Sequence, residues 1–411
     1  MRTLRVLVAT LLLGSLATIA LTDDTHAEAT TYYVSPAGSD GASGTVVAPF
    51  RTLARAITAL HPGDTLVVRN GIYRESVKNP SITRGTADRR ITVVAAPQEQ
   101  PLLQGLLWLK GADYWTISGL DVTWADSNLP SEHMVKVSNS IGWRITDAEI
   151  WGARSYAAIL VAGTAVDWSL DHLYVHDTMT TNSTNQDHLI YVNAVGNGVI
   201  EHNVLTNSPN GRGVKIGPSS SSTTPVGNVR VRYNTFANNL GPSNIQLSYG
   251  ATGNVITRNI FVHPSPRYAA VTTYNLNGTG NIVQDNIGWE TQAVIKPAAG
   301  VSDGGGNVLL DPVLGVFFLP QNPFATGYGR WAAEPVAAGA STTTTASSSS
   351  SSITTTTTSP TSTTTVTTAA TTTTAAATTT SVGAPVPTPE STTTTSTVTT
   401  PSGGRGRYKR N

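Results

Sequence analysis

Apolar and polar residues alternate in short runs along the middle of the chain, and Gly, Asn and Ser separate the runs. This alternation is typical of β-strands joined by turns. Seven runs share one pattern, in which an apolar residue and two variable residues precede a fixed slot. The slot holds Leu120, Ala148, Leu173, Asn203, Asn234, Asn259 and Asn286, at intervals of 25 to 31 residues. The middle of the chain is therefore a repeat.

A second strand recurs in each repeat, as HMVKV, AAILV, HLIYV, GVKIG, NIQLS, AAVTT and QAVIK. The period is too long for a six-residue β-helix, and the leucine-rich repeat consensus is missing. One full coil per repeat predicts an all-β fold, a single-stranded right-handed parallel β-helix. Its coils would stack about 4.8 Å apart. Asn suits the slot because it tolerates a left-handed turn and its amide can bond from coil to coil.

A solenoid needs covered ends. Residues 50–60 carry apolar positions at helical spacing, which predicts an N-terminal capping helix. Residues 301–335, rich in aromatic side chains, would close the other end. Two sets of side chains are also expected to align from coil to coil. Trp115, Trp143 and Trp168 would form a structural stack, and Asp171, Glu201 and Arg232 would form a charge ladder on the surface.

Both ends of the chain differ from the repeat. A basic start, an apolar run over residues 6–21 and Ala27-Glu-Ala29 predict a secretory signal peptide over 1–29. From about residue 337 to 411 the chain is a Ser/Thr-rich stalk with a basic end, which we expect to be disordered. The β-helix domain then spans 30–336. We expect a secreted, extracellular protein with no transmembrane anchor after signal cleavage, and association with the cell wall is an open alternative.

Composition narrows the class of partner. The formal net charge is +1 and only 12% of residues are charged, so no nucleic-acid footprint is present. The chain has no cysteine, so the stability of an exported protein of this kind must come from packing. We expect a monomer.

The N-terminal stretch, residues 31–77, resembles secreted right-handed β-helix proteins of the pectate lyase-like superfamily, which includes polysaccharide lyase families 6 and 9. The resemblance is carried by Tyr33-Val-Ser-Pro36, Gly38-Ser-Asp40, Ala48-Pro-Phe50, Pro62-Gly-Asp64 and Asn70-Gly-Ile-Tyr73. It implies an extracellular polysaccharide as the partner. It also implies calcium as a possible cofactor, held by clustered acidic oxygens.

When the second strands are set in register, the candidate catalytic and substrate-binding residues align in columns. The outward position reads Lys136, Leu160, Tyr191, Lys215, Gln246 and Thr272. Three residues earlier the column includes His133, His188 and Arg212, and one residue earlier still it includes Glu132 and Asp187. The loops before His188 and around Lys215, including residues 176–186 and 218–225, would form walls. Asp187, His188, Tyr191, Arg212 and Lys215 should therefore share one face.

A uronate lyase must neutralise a carboxylate, remove the proton alpha to it and help the leaving oxygen depart. Lys215 is the predicted base, with Arg212 as carboxylate partner or as the group that lowers the pKa of Lys215. His188 or Tyr191 would assist proton transfer, and Tyr191, Asp187, Lys136 and Gln246 would bind substrate. No metal ligands can be assigned.

Two alternatives stay open at this stage. One is a non-catalytic protein that binds glycan or belongs to the cell wall. The other is a glycoside hydrolase, which needs two carboxylates about 5 to 9.5 Å apart. The carboxylates that could form such a pair are Asp187 with either Glu132 or Asp177.

Overall fold

A computed structural model of the protein describes residues 28–179, 187–218, 224–262 and 266–333. The predicted signal peptide lies almost entirely outside these residues, and the Ser/Thr-rich stalk lies wholly outside them. No helix in the described ranges is long and apolar enough to cross a membrane.

Three parallel sheets run along the molecule, and the strands of a complete coil follow one another in the order A, B, C, whereas the first and last coils lack some of these strands. Sheet A contains β1 (Thr31–Val34), β2 (Thr65–Val68), β5 (Ile91–Ala95), β8 (Trp115–Ser118), β11 (Arg144–Thr146), β14 (Trp168–Asp171), β17 (Gly198–Glu201), β21 (Val229–Arg232), β25 (Val255–Thr257), β28 (Asn281–Gln284) and β30 (Val301–Gly305). Sheet B contains β3 (Ile72–Tyr73), β6 (Leu102–Gln104), β9 (Asp121–Thr123), β12 (Glu149–Trp151), β15 (Tyr174–His176), β18 (Val204–Thr206), β22 (Thr235–Ala237), β26 (Ile260–Val262), β29 (Ile287–Trp289) and β31 (Val308–Leu309).

Sheet C contains β4 (Val77–Lys78), β7 (Leu107–Lys110), β10 (Val135–Ile141), β13 (Ala157–Val166), β16 (His188–Val195), β19 (Val214–Ile216), β23 (Ile245–Ser248) and β27 (Val271–Tyr274). A small sheet pairs β20 (Val226–Gly227) with β24 (Ala251–Thr252). Parallel pairing of each coil with the next confirms the predicted β-solenoid.

The Asn slot forms a buried ladder between sheets A and B. The side-chain amide of Asn203 donates to Asn234 at 2.9 Å, Asn234 donates to Asn259 at 3.0 Å, and Asn259 donates to Asn286 at 3.0 Å. The ladder is as predicted, but the left-handed backbone is not on the Asn residues. It falls on the residue before each one, at His202, Tyr233, Arg258 and Asp285, with φ of 52°, 55°, 58° and 52°. The Asn side chain instead satisfies buried polar backbone groups at the turn.

Aromatic side chains fill the interior. The rings of Trp143 and Trp168 stack with centroids 5.7 Å apart and planes 12° apart, which confirms that part of the predicted stack. The next coil has Gly198 at this position, where a Cβ would lie 2.0 Å from the Trp168 ring. The indole nitrogen of Trp115 donates to the carbonyl oxygen of Thr83 at 2.9 Å.

The charge ladder on sheet A is paired rather than open. Asp171, Glu201 and Arg232 are aligned in successive strands. Arg144 binds the buried Asp171, with its Nε 2.7 Å from both carboxylate oxygens, and Arg232 Nε donates to Glu201 at 2.6 Å. The ladder is therefore structural.

The N-terminal motif residues hold the start of the chain together. Asp40 accepts hydrogen bonds from the backbone N–H groups of Arg51 and Thr52, and Tyr73 donates from its hydroxyl to the carbonyl oxygens of Val34 and Arg69. These bonds explain why this motif accompanies the fold.

One short helix, α1 (Leu53–Ile57), follows this motif, and Thr52 caps it by accepting from the N–H of Arg55 at 3.1 Å. It covers only five of the residues predicted to be helical. Leu53 and Ile57 are buried and line a small internal space beside Trp115. That the helix closes the end of the solenoid stays a prediction.

The predicted C-terminal cap is wrong in its aromatic residues. Phe324 is 79% exposed, and Phe317 and Trp331 are also exposed. The segment contains two 3₁₀ turns, Val316–Phe318 and Pro323–Ala325. It packs along sheet B, where Ala325 joins a cluster with Ile260 and Ile287. Burial of this segment depends on where it docks, which apolar content alone does not determine.

Candidate functional site

Sheet C holds the predicted column in register. Lys136 pairs with Leu160, Leu160 with Tyr191, Tyr191 with Lys215, Lys215 with Gln246 and Gln246 with Thr272. The column continues toward the N-terminus through Trp108 and Lys78, which sequence reasoning missed. The alternation in LWLK was the signal for Trp108, because it matches the alternation in MVKV.

Lys215 lies half-buried in the middle of β19, between the buried Val214 and Ile216. Its Nζ is 4.5 Å from the centre of the Tyr191 ring on the preceding coil. Burial and, to a smaller extent, the nearby charge of Arg212 together lower the pKa of Lys215 to about 8. At neutral pH about a tenth of such an amine is uncharged and able to take a proton.

His188 lies beneath this pair and is only 1% exposed. The backbone N–H of Arg212 donates to its Nδ1 at 3.2 Å, so the proton of the neutral ring is on Nε2. Burial, then the charges of Lys215 and Arg212, hold the pKa of His188 well below its usual value. The neutral ring meets the Tyr191 ring edge-on, with centroids 5.8 Å apart.

Arg212 and Asp187 are each 4% exposed. Burial lowers the pKa of Arg212 to about 10, so the guanidinium is still charged at neutral pH. Gly211 is required between the two coils, because a Cβ there would lie 2.1 Å from the carbonyl oxygen of Asp187. The hydroxyls of Thr178 and Ser208 also donate to that oxygen, at 3.0 and 2.6 Å. The start of β16 is therefore held rigidly.

The predicted group of Asp187, His188, Tyr191, Arg212 and Lys215 lies together in the structure. Of these five side chains, Lys215 alone is partly exposed to solvent, and the other four are buried. Tyr191 and Gln246 are buried, so neither ring nor amide forms an open sugar platform. Lys136 lies three coils away from Lys215 along the column and is half-buried.

A second cationic group surrounds Trp108. The Nζ atoms of Lys78 and Lys136 lie 5.6 and 5.4 Å from the centre of its ring. Lys78 is also paired with Glu132 at 2.5 Å. Burial, then the charge of Lys136, lowers the pKa of the adjacent His133 to about 4, so this ring is neutral as well.

The carboxylates near the site do not match the donor set of calcium, which takes six to eight oxygen ligands. Asp187 is the single carboxylate in the local columns and is buried. Within the described ranges no three acidic or His side chains are grouped so that they could hold a metal ion. The expected calcium cofactor stays a prediction.

The carboxylates that a hydrolase would use are engaged elsewhere. Glu132 is paired with Lys78, and Asp177 lies 2.8 Å from Nδ1 of His176. Asp177 also accepts a hydrogen bond from Asn207 at 2.8 Å.

Residues 32–156 match the family described as Pel9A-like, right-handed β-helix region. The match covers the first part of the solenoid. Pectate lyase PEL9 of Emericella nidulans is 29% identical over 111 residues, which cover 22% of this chain and 27% of that protein. The chain thus matches about a quarter of that relative's length. The expected resemblance to pectate lyase-like proteins is confirmed, but the matched region ends before His188, Arg212 and Lys215.

Three solved structures match this chain with TM-scores below 0.5. The crystal structure of pectate lyase Pel9A has a TM-score of 0.39 and 13% identity, covering 69% of this chain and 79% of that one. A protein described as a glycoside hydrolase has a TM-score of 0.44 and 9% identity, covering 68% of this chain and 96% of that one. A mannuronic acid specific family 6 lyase from human gut microbiota has a TM-score of 0.43 and 18% identity, covering 68% and 65%.

Proposed function

We propose that this protein is a secreted polysaccharide lyase that cleaves a uronate-containing glycan by β-elimination, with Lys215 as the base. The observation that carries the proposal is the amine of Lys215. It is partly open to solvent on the outer face of sheet C, and burial beside Arg212 brings its pKa to about 8. An ordinary surface lysine would be charged at neutral pH and unable to accept a proton.

The neutral amine of Lys215 would take the proton from the carbon next to the uronate carboxylate. The electron pair of that C–H bond becomes the new C=C bond, and the bond to the glycosidic oxygen breaks. The leaving oxygen then needs a proton. Lys215, now an ammonium group, is the donor that the geometry favours, because His188 and Tyr191 are buried. Lys215 therefore accepts the proton from the carbon and also donates a proton to the leaving oxygen.

Arg212 supports this chemistry through its charge. Its buried position favours the role of lowering the pKa of Lys215 over that of binding the carboxylate directly. We place His188 as a positioning residue, since its Nδ1 is bonded to the Arg212 backbone and its ring supports Tyr191.

Lys136 would bind a second carboxylate of the same chain. Coils of a β-helix are about 4.8 Å apart, so three coils place Lys136 about 14 Å from Lys215 along the axis. A polysaccharide running along the column would bring an acidic sugar to each lysine. The predicted signal peptide and the similarity to a pectate lyase support an extracellular polysaccharide as the partner.

The test is the ultraviolet absorbance of the unsaturated product, measured with the full secreted chain on pectate, alginate, glycosaminoglycans and ulvan, with and without calcium. We expect absorbance on at least one polymer, at least a hundredfold slower for Lys215→Ala. The matched control is Arg230→Ala, which replaces an exposed cationic residue on sheet A and should match the unaltered protein. A signal that survives Lys215→Ala would remove Lys215 as the base. New reducing ends without absorbance would favour the hydrolase, and binding without cleavage would favour the non-catalytic protein.

A further inference from the structure

A groove of about 730 Å³ lies where sheet B meets the loops that lead into sheet C. Its polar lining includes Asp177, Asn207 and Asn238, which directly follow β15, β18 and β22 in three successive coils. All three have left-handed backbones, with φ of 53°, 60° and 53°. Its apolar lining includes Met179 and Leu240, which are 51% and 65% exposed. The groove therefore offers both hydrogen-bonding groups and exposed apolar surface.

We propose that this groove binds an uncharged sugar unit of the glycan on which Lys215 acts, and this inference rests on the proposed lyase function. A pocket for a small ligand typically measures 300 to 1,000 Å³ and joins apolar walls to a few placed polar groups. A sugar ring needs the same combination, because its hydroxyls bond to carboxylate and amide groups while its C–H faces pack on apolar side chains.

The charge of the groove excludes an acidic sugar. The described residues that line it include no Lys or Arg, and Asp177 contributes a carboxylate. The carboxylate of Glu149 contacts the other ring nitrogen of His176, outside the lining. A uronate placed here would face the Asp177 carboxylate, and the described lining residues offer no Lys or Arg to bind it. Lys215 and Arg212 are basic, so the Lys215 site would bind an acidic sugar and the groove would bind an uncharged one.

His176 holds the acidic side of the groove in place. Its Nδ1 is 2.8 Å from Asp177 and its Nε2 is 2.8 Å from Glu149. Its ring lies between Tyr174, at 4.0 Å, and Trp151, at 6.1 Å. Such bonding fixes the position of the Asp177 carboxylate before any ligand arrives, which lowers the entropy cost of binding.

The groove and the Lys215 site share a wall. Thr178, which lines the groove, and Ser208, next to the lining residue Pro209, both donate to the carbonyl oxygen of Asp187. The next residue, His188, packs against Tyr191 under Lys215. A glycan with an uncharged branch or neighbour beside its uronate could therefore occupy both places.

The experiment is calorimetric titration of the full chain with trisaccharides of galactose, arabinose, xylose, rhamnose and mannose, beside trigalacturonate and trimannuronate. The groove variant combines Asn238→Gly with Leu240→Ser, since Gly keeps the left-handed backbone at 238. The matched control is Leu309→Ser, another exposed leucine outside the groove. Lys215→Ala is titrated in parallel.

We expect at least one neutral trisaccharide to bind, with affinity at least tenfold weaker in the groove variant and unchanged in Leu309→Ser and Lys215→Ala. Binding of the acidic trisaccharides should be unchanged in the groove variant. The proposal is overturned if no neutral trisaccharide binds, or if the groove variant binds them as the unaltered protein does. Failure of the lyase itself would be seen separately, as missing product absorbance while neutral sugar still binds.

Discussion

Replacing Arg212 by glutamine removes a charge that helps to hold the pKa of Lys215 low. Glutamine keeps a polar side chain at this buried position while losing the guanidinium. Because burial is the larger cause and persists in the variant, the pKa of Lys215 should rise above 8 without reaching its ordinary 10.5. The change isolates the electrostatic part of the proposed mechanism.

The expected loss can be bounded. Only the uncharged amine takes a proton, so kcat/KM rises with pH and levels off above the pKa of Lys215. At pH 7 a pKa of about 8 leaves about a tenth of the amine uncharged. A pKa at the ordinary 10.5 would leave about 300-fold less, so Arg212→Gln should lower kcat/KM at pH 7 by less than about 300-fold.

The assay is kcat/KM for product absorbance from pH 6 to pH 10.5. The unaltered protein should show a midpoint near 8. Arg212→Gln should show a higher midpoint and recover much of its activity at alkaline pH. Arg230→Gln, which replaces an exposed arginine on sheet A, is the matched control and should keep the original midpoint. An unchanged midpoint in Arg212→Gln, or a loss equal at all pH values, would refute the reasoning.

Further predictions concern stability and substrate binding. Lys215→Met should raise the free energy of unfolding at pH 7 by roughly 1–2 kcal/mol while abolishing activity, because a pKa lowered on folding costs stability below about pH 8. Chemical denaturation should show the gain shrinking as pH rises to 10.5, and a gain independent of pH would contradict it. Asn234→Ala should cost roughly 2–4 kcal/mol through unpaired buried groups, whereas the exposed Asn277→Ala should cost little in the same unfolding experiment. Lys136→Ala should raise KM about two- to fivefold on a long substrate with kcat unchanged, and an equal KM would remove Lys136 from the binding path.

The solenoid was readable from the sequence because an in-register repeat keeps each residue type at the same place in every coil. The Asn slots and the column through Tyr191 and Lys215 followed from that rule alone. The backbone dihedrals did not follow, since the residue before each Asn carries the left-handed turn and varies in type. Turn conformation is set by the whole corner and not by its most regular residue.

The repeat register predicted which residues lie together in the site, but it did not predict which of their side chains are exposed to solvent. Register placed Arg212 and His188 beside Lys215, yet both are almost fully buried. Burial there depends on irregular residues that lead into β16 and β19, such as Thr178 and Ser208, and the repeat pattern contains no information about them. The same limit applies to Phe324, whose apolar character suggested an end cap although its side chain is exposed.

The most direct test of β-elimination at Lys215 is a mass spectrum of the products formed in water labelled with heavy oxygen. Elimination breaks the glycosidic bond without forming a bond to solvent oxygen. When the products are reduced with borohydride before the reducing end exchanges its oxygen with water, the new ends should carry no label and one product should contain a double bond. The account predicts unlabelled, unsaturated products that disappear in Lys215→Ala. Heavy oxygen at the new end would show hydrolysis and contradict the account.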